Sequence, residues 1–235
     1  MAGTHETGDE LPVEGADAHK IVDVLRLRDG DFVEAIDSAA NVFLARIVLA
    51  GRSVHLRLSD VRGGAPAPRL RVSLAQAVPK AQKMDYVVEK LTELGAEAIV
   101  PFRSERTIGA VTQSKLDRWT RLAKSAALQC GRTAVPVIAP ALSFDDLLRR
   151  FAHYDCVLLA WELAPRDAPL DRLAPLVREA ARMLVVIGPE GGFSHAEAER
   201  AKAAGAHLVW LGPRVLRSET AGLVALAFVN LLSGG

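Results

Sequence analysis

Hydrophobic and polar residues alternate along residues 19–60, which is the pattern of short β-strands with one buried face. The alternation predicts three strands, over residues 31–37, 42–48 and 53–58. Turn-forming residues at 29–31 and 38–41 separate these strands. A short helix, roughly from Asp17 to Leu25, is expected before them. We therefore predict a small β-rich domain in this part of the chain.

From residue 70 onward, apolar strands alternate with amphipathic helices. The predicted strands cover residues 70–78, 98–102, 156–160, 183–187 and 207–211. The predicted helices cover residues 80–94, residues 114–129, residues 194 to about 205, and a last segment that begins at Ser218. The last three strands are nearly continuous apolar runs, as in a parallel sheet whose two faces are both covered. This part of the chain is therefore predicted to be an α/β domain.

Serines mark the expected starts of the two C-terminal helices. Ser194 and Glu197 match a capping box, in which the two side chains satisfy each other's backbone N–H groups. Ser218 is expected to cap the last helix in the same way, through its hydroxyl oxygen.

Charge and composition divide the chain into three parts. Residues 1–17 carry five acidic residues and no lysine or arginine, which predicts a flexible, solvated tail. Residues 62–68 (RGGAPAP) are expected to be a linker, because glycine and proline sustain neither a helix nor a sheet. The β-rich domain is therefore assigned to residues 18–68 and the α/β domain to residues 69–235.

The overall composition excludes several classes of protein. The net charge is only +1, from 29 basic and 28 acidic residues, so any binding of nucleic acid has to rest on local charge. The two cysteines, Cys130 and Cys156, lie far apart and do not indicate a disulfide framework. The longest apolar run, residues 221–232, is too short to cross a membrane, and no signal peptide is visible. We expect a cytoplasmic protein without a membrane segment.

A glycine-rich segment, residues 187–194 (IGPEGGFS), follows one predicted strand and starts a helix. Ligands of open α/β sheets bind at that edge of the sheet, and a helix start presents unpaired backbone N–H groups. The segment matches neither the dinucleotide fingerprint nor the P-loop, so neither dinucleotide nor triphosphate binding is indicated. Taken alone, it is equally well explained as a tight turn between a strand and a helix.

A second segment, residues 211–221 (LGPRVLRSETA), has the same placement between an apolar strand and a helix. Two such segments at one sheet edge could form a single pocket, to which Arg214 and Arg217 would bring positive charge. The alternative is a solvated surface loop whose helix begins at Ser218.

Signatures of several other chemistries are absent from the sequence. It contains no HExxH, no CxxC pair and no GxSxG. His195 is expected in the first turn of a capped helix, and no metal is predicted. Because phosphates are recognised by local positive charge, the candidate RNA-binding residues are Arg26, Arg28, Arg103, Arg106, Arg132 and Arg214.

Further ordered motifs lie at residues 24–31 (VLRLRDGD), 76–85 (QAVPKAQKMD), 90–95 (KLTELG), 101–107 (PFRSERT) and 129–132 (QCGR). Together with the two loop segments, they resemble the RsmE-type family of 16S rRNA uracil-N3 methyltransferases, in the SPOUT superfamily. The resemblance runs from about residue 18 to the end of the chain. Several motifs in the right order are far more specific than any one of them.

The resemblance implies an α/β SPOUT-type domain with a parallel sheet and a C-terminal trefoil knot, preceded by a small PUA-like β-barrel domain that binds RNA. Such enzymes are homodimers that modify 16S rRNA of the small ribosomal subunit, with S-adenosylmethionine bound in the knot. By that resemblance, residues 221–232 thread the knot and pack in the dimer interface. The cofactor contacts that carry over to this chain are Leu159, Trp161, Ile187, Gly188, Pro189, Glu190, Gly191, Gly192, Leu211, Gly212, Leu216, Arg217, Ser218 and Thr220.

The implied reaction moves a methyl group to N3 of a uracil, which must lose its proton. Arg132 and Arg217 are the candidates for stabilising the negative charge that develops on the uracil carbonyls. Glu190 is a candidate proton acceptor. The alternative for Glu190 is that it orders its loop by accepting backbone N–H bonds.

The sequence departs from the family's pattern at two places. Residues 1–10 are acidic and polar, where the family has an arginine- and phenylalanine-containing strand that helps to close the barrel. Leu128 stands where the family commonly has an acidic residue. Two alternatives stay open: a SPOUT methyltransferase that acts on another RNA or another atom, and a non-catalytic RNA-binding or ribosome-assembly protein. The missing dinucleotide fingerprint disfavours a third, a Rossmann oxidoreductase.

Overall fold

The computed structural model describes residues 1, 4–37, 41–51, 53–62, 68–166 and 173–234. The chain divides into two compact units, Met1–Ala67 and Pro68–Gly235. The predicted turn at 38–41 and the predicted linker at 62–68 lie largely outside the described residues.

The first unit is built on a four-stranded antiparallel sheet in the order β1-β4-β3-β2. Its strands are β1 Glu10–Val13, β2 Phe32–Ile36, β3 Val42–Ala50 and β4 Ser53–Arg62. A short helix, α1 (Gly15–His19), continues as a π-helical turn over Lys20–Val24. The alternation in the sequence puts one face of the sheet inside, and Phe43, Ile47 and Leu58 are its largest fully buried residues. The three strands and the short helix predicted for this region are confirmed.

The prediction of a flexible tail over residues 1–17, without a strand, is wrong at β1. Leu11 and Val13 pair with Leu56 and Val54 of β4 and pack against the core of the unit. Two apolar residues at alternate positions are sufficient to place this segment on the sheet, despite the surrounding acids. Glu10, the acidic residue at the start of β1, forms an ion pair with Arg57 at 2.7 Å.

The second unit is built on a seven-stranded sheet in the order β11-β9-β10-β5-β6-β7, in which β8 also pairs with β6. The strands are β5 Arg71–Ala77, β6 Ala98–Arg103, β7 Val137–Ile138, β8 Leu142–Ser143, β9 Cys156–Ala160, β10 Arg182–Ile187 and β11 His207–Val209. Every strand pairing within the described part of this sheet is parallel. The predicted α/β fold with a parallel sheet is therefore confirmed.

Helices cover both faces of this sheet. They are α2 Lys83–Glu93, α3 Gln113–Gln129, α4 Phe144–Arg150, α5 Ala174–Glu179, α6 His195–Ala203 and α7 Ser218–Ser233. On one face Phe102, Phe144 and Phe193 form a cluster with ring centroids 6.0 to 6.3 Å apart. None of the described helices combines the length and apolar character of a membrane span.

The two serines predicted as helix caps behave differently. Ser194 caps α6 and completes the predicted capping box with Glu197. Ser218 is instead the first residue of α7, whose N-cap is Arg217. Its predicted role as a cap is therefore wrong, because its hydroxyl forms hydrogen bonds with Gln76 and with the carbonyl of Gly188 instead.

Candidate functional site

A cavity of about 710 Å³ opens at the carboxyl ends of β9, β10 and β11. Their last residues, Ala160, Ile187 and Val209, are register partners, so the three segments that follow start side by side. The lining is formed by residues 160–162, 187–193 and 210–218, together with Lys83, Arg166 and Ala221. A volume of this size suits a ligand as large as a nucleoside with a side chain.

Residues 188–192, which we call the glycine loop, follow β10 closely along the cavity. A Cβ at Gly188 would lie 3.0 Å from the ring of Phe193, so a larger residue there would press on the aromatic cluster. Gly192 has φ +66°, in the left-handed region, and its N–H donates to the carbonyl of Pro189 at 2.9 Å. The loop is therefore a tight turn whose backbone borders the cavity directly.

A buried hydrogen-bond chain joins the glycine loop to α7 and β5. The Ser218 hydroxyl donates to the carbonyl of Gly188 at 2.5 Å and accepts from Nε2 of Gln76 at 2.8 Å. Gln76 and Ser218 are both buried. Because three elements that are distant in sequence share this chain, it fixes two walls of the cavity relative to each other.

Glu190 is held from the segment that precedes α2. Its carboxylate accepts the backbone N–H of Lys80 at 2.9 Å and lies 3.5 Å from Nζ of Lys83. Lys83 also reaches Glu219, at 3.2 Å. Burial alone would raise the pKa of Glu190, but the backbone N–H bonds and the Lys83 ammonium outweigh it and hold the pKa below its ordinary value. Glu190 is thus an ionised anchor of the glycine loop.

The turn after β6 holds the same loop from another direction. The Arg106 guanidinium donates to the carbonyl of Gly191 at 2.6 Å. The neighbouring N–H of Glu105 donates to the carboxylate of Glu197, in the capping box of α6, at 2.8 Å. The position of the glycine loop is therefore set by β6, α2 and α7 together.

Most predicted cofactor residues line the cavity: Trp161, Ile187, Gly188, Pro189, Glu190, Gly191, Gly192, Leu211, Gly212, Leu216, Arg217 and Ser218. Leu159 and Thr220 do not line it. Leu159 is fully buried inside β9, since alternate strand residues point to opposite faces. Thr220 is the third residue of α7, in its first turn.

The predicted arginines fall into three groups. Arg214 and Arg217 line the cavity and are exposed, and Arg103 and Arg106 lie at or after the end of β6. Arg26 and Arg28 belong to the first unit, where both are exposed.

Arg132 is not among the lining residues, so its predicted place beside the reacting base is not supported within this chain. Its guanidinium donates to the carbonyl of Thr92 at 2.7 Å and to that of Ala96 at 3.0 Å. These bonds satisfy backbone carbonyls at and beyond the carboxyl end of α2, which is a structural role.

Several lining side chains were not predicted from the sequence, among them Lys83, Glu162 and Arg166. Glu162 and Arg166 come directly after β9. Because ligands of parallel sheets bind outside the carboxyl ends of strands, their position after an apolar strand was the usable signal. Within the described residues, no group of three or more His, Cys, Asp or Glu side chains is placed to hold a metal ion.

Known proteins resemble this chain in both sequence and fold. An RNA methyltransferase domain family matches residues 66–230. The ribosomal RNA small subunit methyltransferase E of Bacillus subtilis (strain 168) is 32% identical, over 96% of this chain and 91% of its own length. The protein of the same name from Synechocystis sp. is 33% identical, over 92% of this chain and 71% of its own.

Solved structures of methyltransferases resemble this chain in fold. Ribosomal RNA small subunit methyltransferase E from Neisseria gonorrhoeae, bound to S-adenosyl methionine, superposes with a TM-score of 0.87 at 26% identity, over 98% of this chain and 94% of that chain. A Legionella pneumophila protein, in complex with the same cofactor, gives a TM-score of 0.84 at 28% identity, over 98% and 95%. The chain therefore belongs to the RNA methyltransferase family whose relatives are named ribosomal RNA small subunit methyltransferase E.

Proposed function

We propose that this protein transfers the methyl group of S-adenosylmethionine to N3 of a specific uridine in 16S rRNA of the small ribosomal subunit, in the cytoplasm. The observation that supports this most is the cavity at the ends of β9, β10 and β11, because its walls include two of the segments that carry the family resemblance. Relatives at 32–33% identity carry the name of a small-subunit rRNA methyltransferase.

The residues present fit the cofactor. The backbone of the glycine loop borders the cavity, so an adenine ring or a ribose could approach it closely. When bound, S-adenosylmethionine supplies an electrophilic methyl group on its sulfonium. Apolar lining from Ile187, Leu211 and Leu216 would exclude water from the methyl group.

The protein's part in the chemistry is to position the base and to favour loss of its proton. Loss of the N3 proton to solvent water would leave an electron pair on N3 for the new bond to the methyl carbon, and the electron pair of the former carbon–sulfur bond would stay on the sulfur. Arg217, exposed at the cavity, is our candidate for stabilising negative charge on the uracil carbonyls. Glu190 is better suited to hold the glycine loop than to accept the proton, because its pKa is lowered and its carboxylate is already bonded.

The RNA would be bound by exposed arginines in both units. Arg103, Arg106 and Arg214 lie at the sheet edge that carries the cavity, and Arg26 and Arg28 would contribute from a PUA-like domain formed by the first unit. Phosphate contacts of this kind position the RNA without reading its bases.

The knot and the dimer belong to the same proposal. We expect the second unit to contain a C-terminal trefoil knot, with α7 threaded through it. α7 leaves Leu231 exposed by 78% and Val224 by 39%, seven residues apart and so on one face of the helix. An apolar face of this kind suits a homodimer interface.

The test is mass spectrometry of rRNA nucleosides after purified protein, isotope-labelled cofactor and unmodified small subunits are incubated together. We expect labelled N3-methyluridine in 16S rRNA and none when large subunits are supplied instead. Label at another atom or in another RNA would instead indicate a related methyltransferase of different specificity. Calorimetry that shows no binding of S-adenosylmethionine would indicate a non-catalytic RNA-binding protein.

A further inference from the structure

Glu162 lies in a turn whose backbone is fixed on both sides. The N–H of Trp161 donates to the carbonyl of Val209 at 3.0 Å, and its indole Nε1 donates to the carbonyl of Phe193 at 3.3 Å. The N–H of Ala164 donates back to the carbonyl of Trp161 at 3.1 Å. Trp161 and Ala164 are both buried, so the backbone of the two exposed residues between them, Glu162 and Leu163, is held at each end.

The Glu162 carboxylate lies directly against the glycine loop. Its Cδ is 3.1 Å from the position that a Cβ on Gly192 would occupy, and Oε1 is closer still. The carboxylate therefore occupies space that exists only because residue 192 is a glycine. It forms part of the cavity wall, beside the backbone that would hold the cofactor.

Glu162 differs from Glu190, the other carboxylate of the cavity lining, in having no partner among the described residues. Glu190 is bonded to Lys80 and Lys83. Across the residues that the structure describes, Glu162 forms neither a hydrogen bond nor an ion pair, although Arg166 and Arg217 line the same cavity. The Glu162 side chain is exposed at the cavity, and a carboxylate that no other side chain engages is a ready acceptor for a positively charged ligand group.

We propose that the Glu162 carboxylate recognises a positively charged group of S-adenosylmethionine. This inference rests on the proposed function, because the cofactor carries two such groups, the sulfonium and the ammonium of its amino-acid part. It adds a specificity-determining residue after β9 to the two loop segments that the family resemblance identified.

The test compares three ligands by isothermal titration calorimetry, with the wild type and Glu162→Gln, which keeps the shape and removes the charge. S-adenosylmethionine carries both positive groups, S-adenosylhomocysteine has only the ammonium, and 5′-methylthioadenosine has neither. We expect the dissociation constant of S-adenosylmethionine to rise about tenfold and that of 5′-methylthioadenosine to stay unchanged. S-adenosylhomocysteine identifies the group: an equal loss indicates the ammonium, and no loss indicates the sulfonium.

Glu199→Gln is the matched control, because it removes the same charge from an exposed position on α6 that does not line the cavity. An equal loss for all three ligands, or no loss for any, would overturn the inference. Wild-type protein that binds no S-adenosylmethionine would instead defeat the proposed function itself. Unchanged unfolding midpoints of both variants would show that affinities are compared between folded proteins.

Discussion

Glu190 shows how a carboxylate beside a reaction site can serve structure rather than proton transfer. Its contacts with Lys80 and Lys83 stabilise the ionised form, so the folded protein binds its proton less tightly than the unfolded chain does. Such a group stabilises the fold above the pKa it has in the unfolded chain, and that stability is lost as the pH falls through the folded pKa.

We expect Glu190→Gln to lower the free energy of unfolding at pH 7 by about 0.5–1 kcal/mol, because solvent partly screens the interactions that the carboxylate loses. The difference from the wild type should shrink as the pH falls below the ordinary value of 4.5. Urea denaturation at several pH values between neutral and acid measures it, with Glu199→Gln as the control. A difference that does not change with pH would contradict the assignment.

Gly192 is required for two separate reasons, its φ of +66° and the Glu162 carboxylate against it. Gly192→Ala should therefore cost about 1 kcal/mol of backbone strain and also displace Glu162, so that S-adenosylmethionine binds more than about tenfold more weakly. Gly205→Ala is the matched control, because Gly205 has φ +98° with open space around it. If both variants bind the cofactor equally well, steric contact at residue 192 has no role in binding.

Arg132 was predicted to act on the reacting base, and its bonds to Thr92 and Ala96 indicate stability instead. Arg132→Ala should lower the free energy of unfolding by about 1.5–3 kcal/mol, because charged hydrogen bonds to backbone carbonyls are lost. The kcat of the folded enzyme should stay near that of the wild type. Denaturation and initial rates measure the two effects, with exposed Arg121→Ala as the control. A fall in kcat without a loss of stability would restore the catalytic assignment.

Side-chain roles were the least predictable part of the site. The glycine loop was visible because residue types and their order identify a tight turn after a strand. The use of a side chain depends on what lies opposite it, and Arg132 meets carbonyls from residues 36 and 40 positions away. Glu162 was missed for the same reason, since the glycine that makes room for it is distant in sequence.

At the scale of elements, a hydrogen bond from Ser218 connects the start of α7 to the glycine loop. Ser218→Ala would leave the carbonyl of Gly188 and the amide of Gln76 without their partner in a buried place. We expect a loss of about 1–3 kcal/mol in the free energy of unfolding, together with weaker cofactor binding. Ser233→Ala in the same helix is the control, because its hydroxyl bonds only to Asn230. Equal effects of the two changes on cofactor affinity would contradict a link between α7 and the site.

Strands and helices with clear apolar patterns were predicted within a few residues, whereas β1, β7 and β8 were not predicted. β9 was predicted with the same ends that it has, because five apolar residues in a row leave little choice. β7 and β8 are two residues each, and so short a segment has no period to detect. β1 was missed because its alternation is confined to Leu11 and Val13 within an acidic stretch.

At the scale of the molecule, the site depends on strand order, which hydrophobic periodicity does not contain. The parallel sheet places β10 between β9 and β5, so that segments separated by many residues open onto one cavity. Periodicity predicts that strands exist and that they are buried, but neighbours in a sheet are chosen by tertiary packing. The placement of the two loop segments after apolar strands suggested a shared pocket, and only the family resemblance added the turn after β9 to it.

The exposed apolar face of α7 leads to the last prediction, which concerns assembly. If two chains pack through Val224 and Leu231, a carboxylate at each position would be buried without a partner. We expect the wild type to sediment as a dimer at micromolar concentration, and the combined variant Val224→Glu with Leu231→Glu to sediment as a monomer. Val137→Glu is the control, because Val137 is 64% exposed on a strand at the other side of the sheet. A wild type that is monomeric, or a double variant that stays dimeric, would place the interface elsewhere.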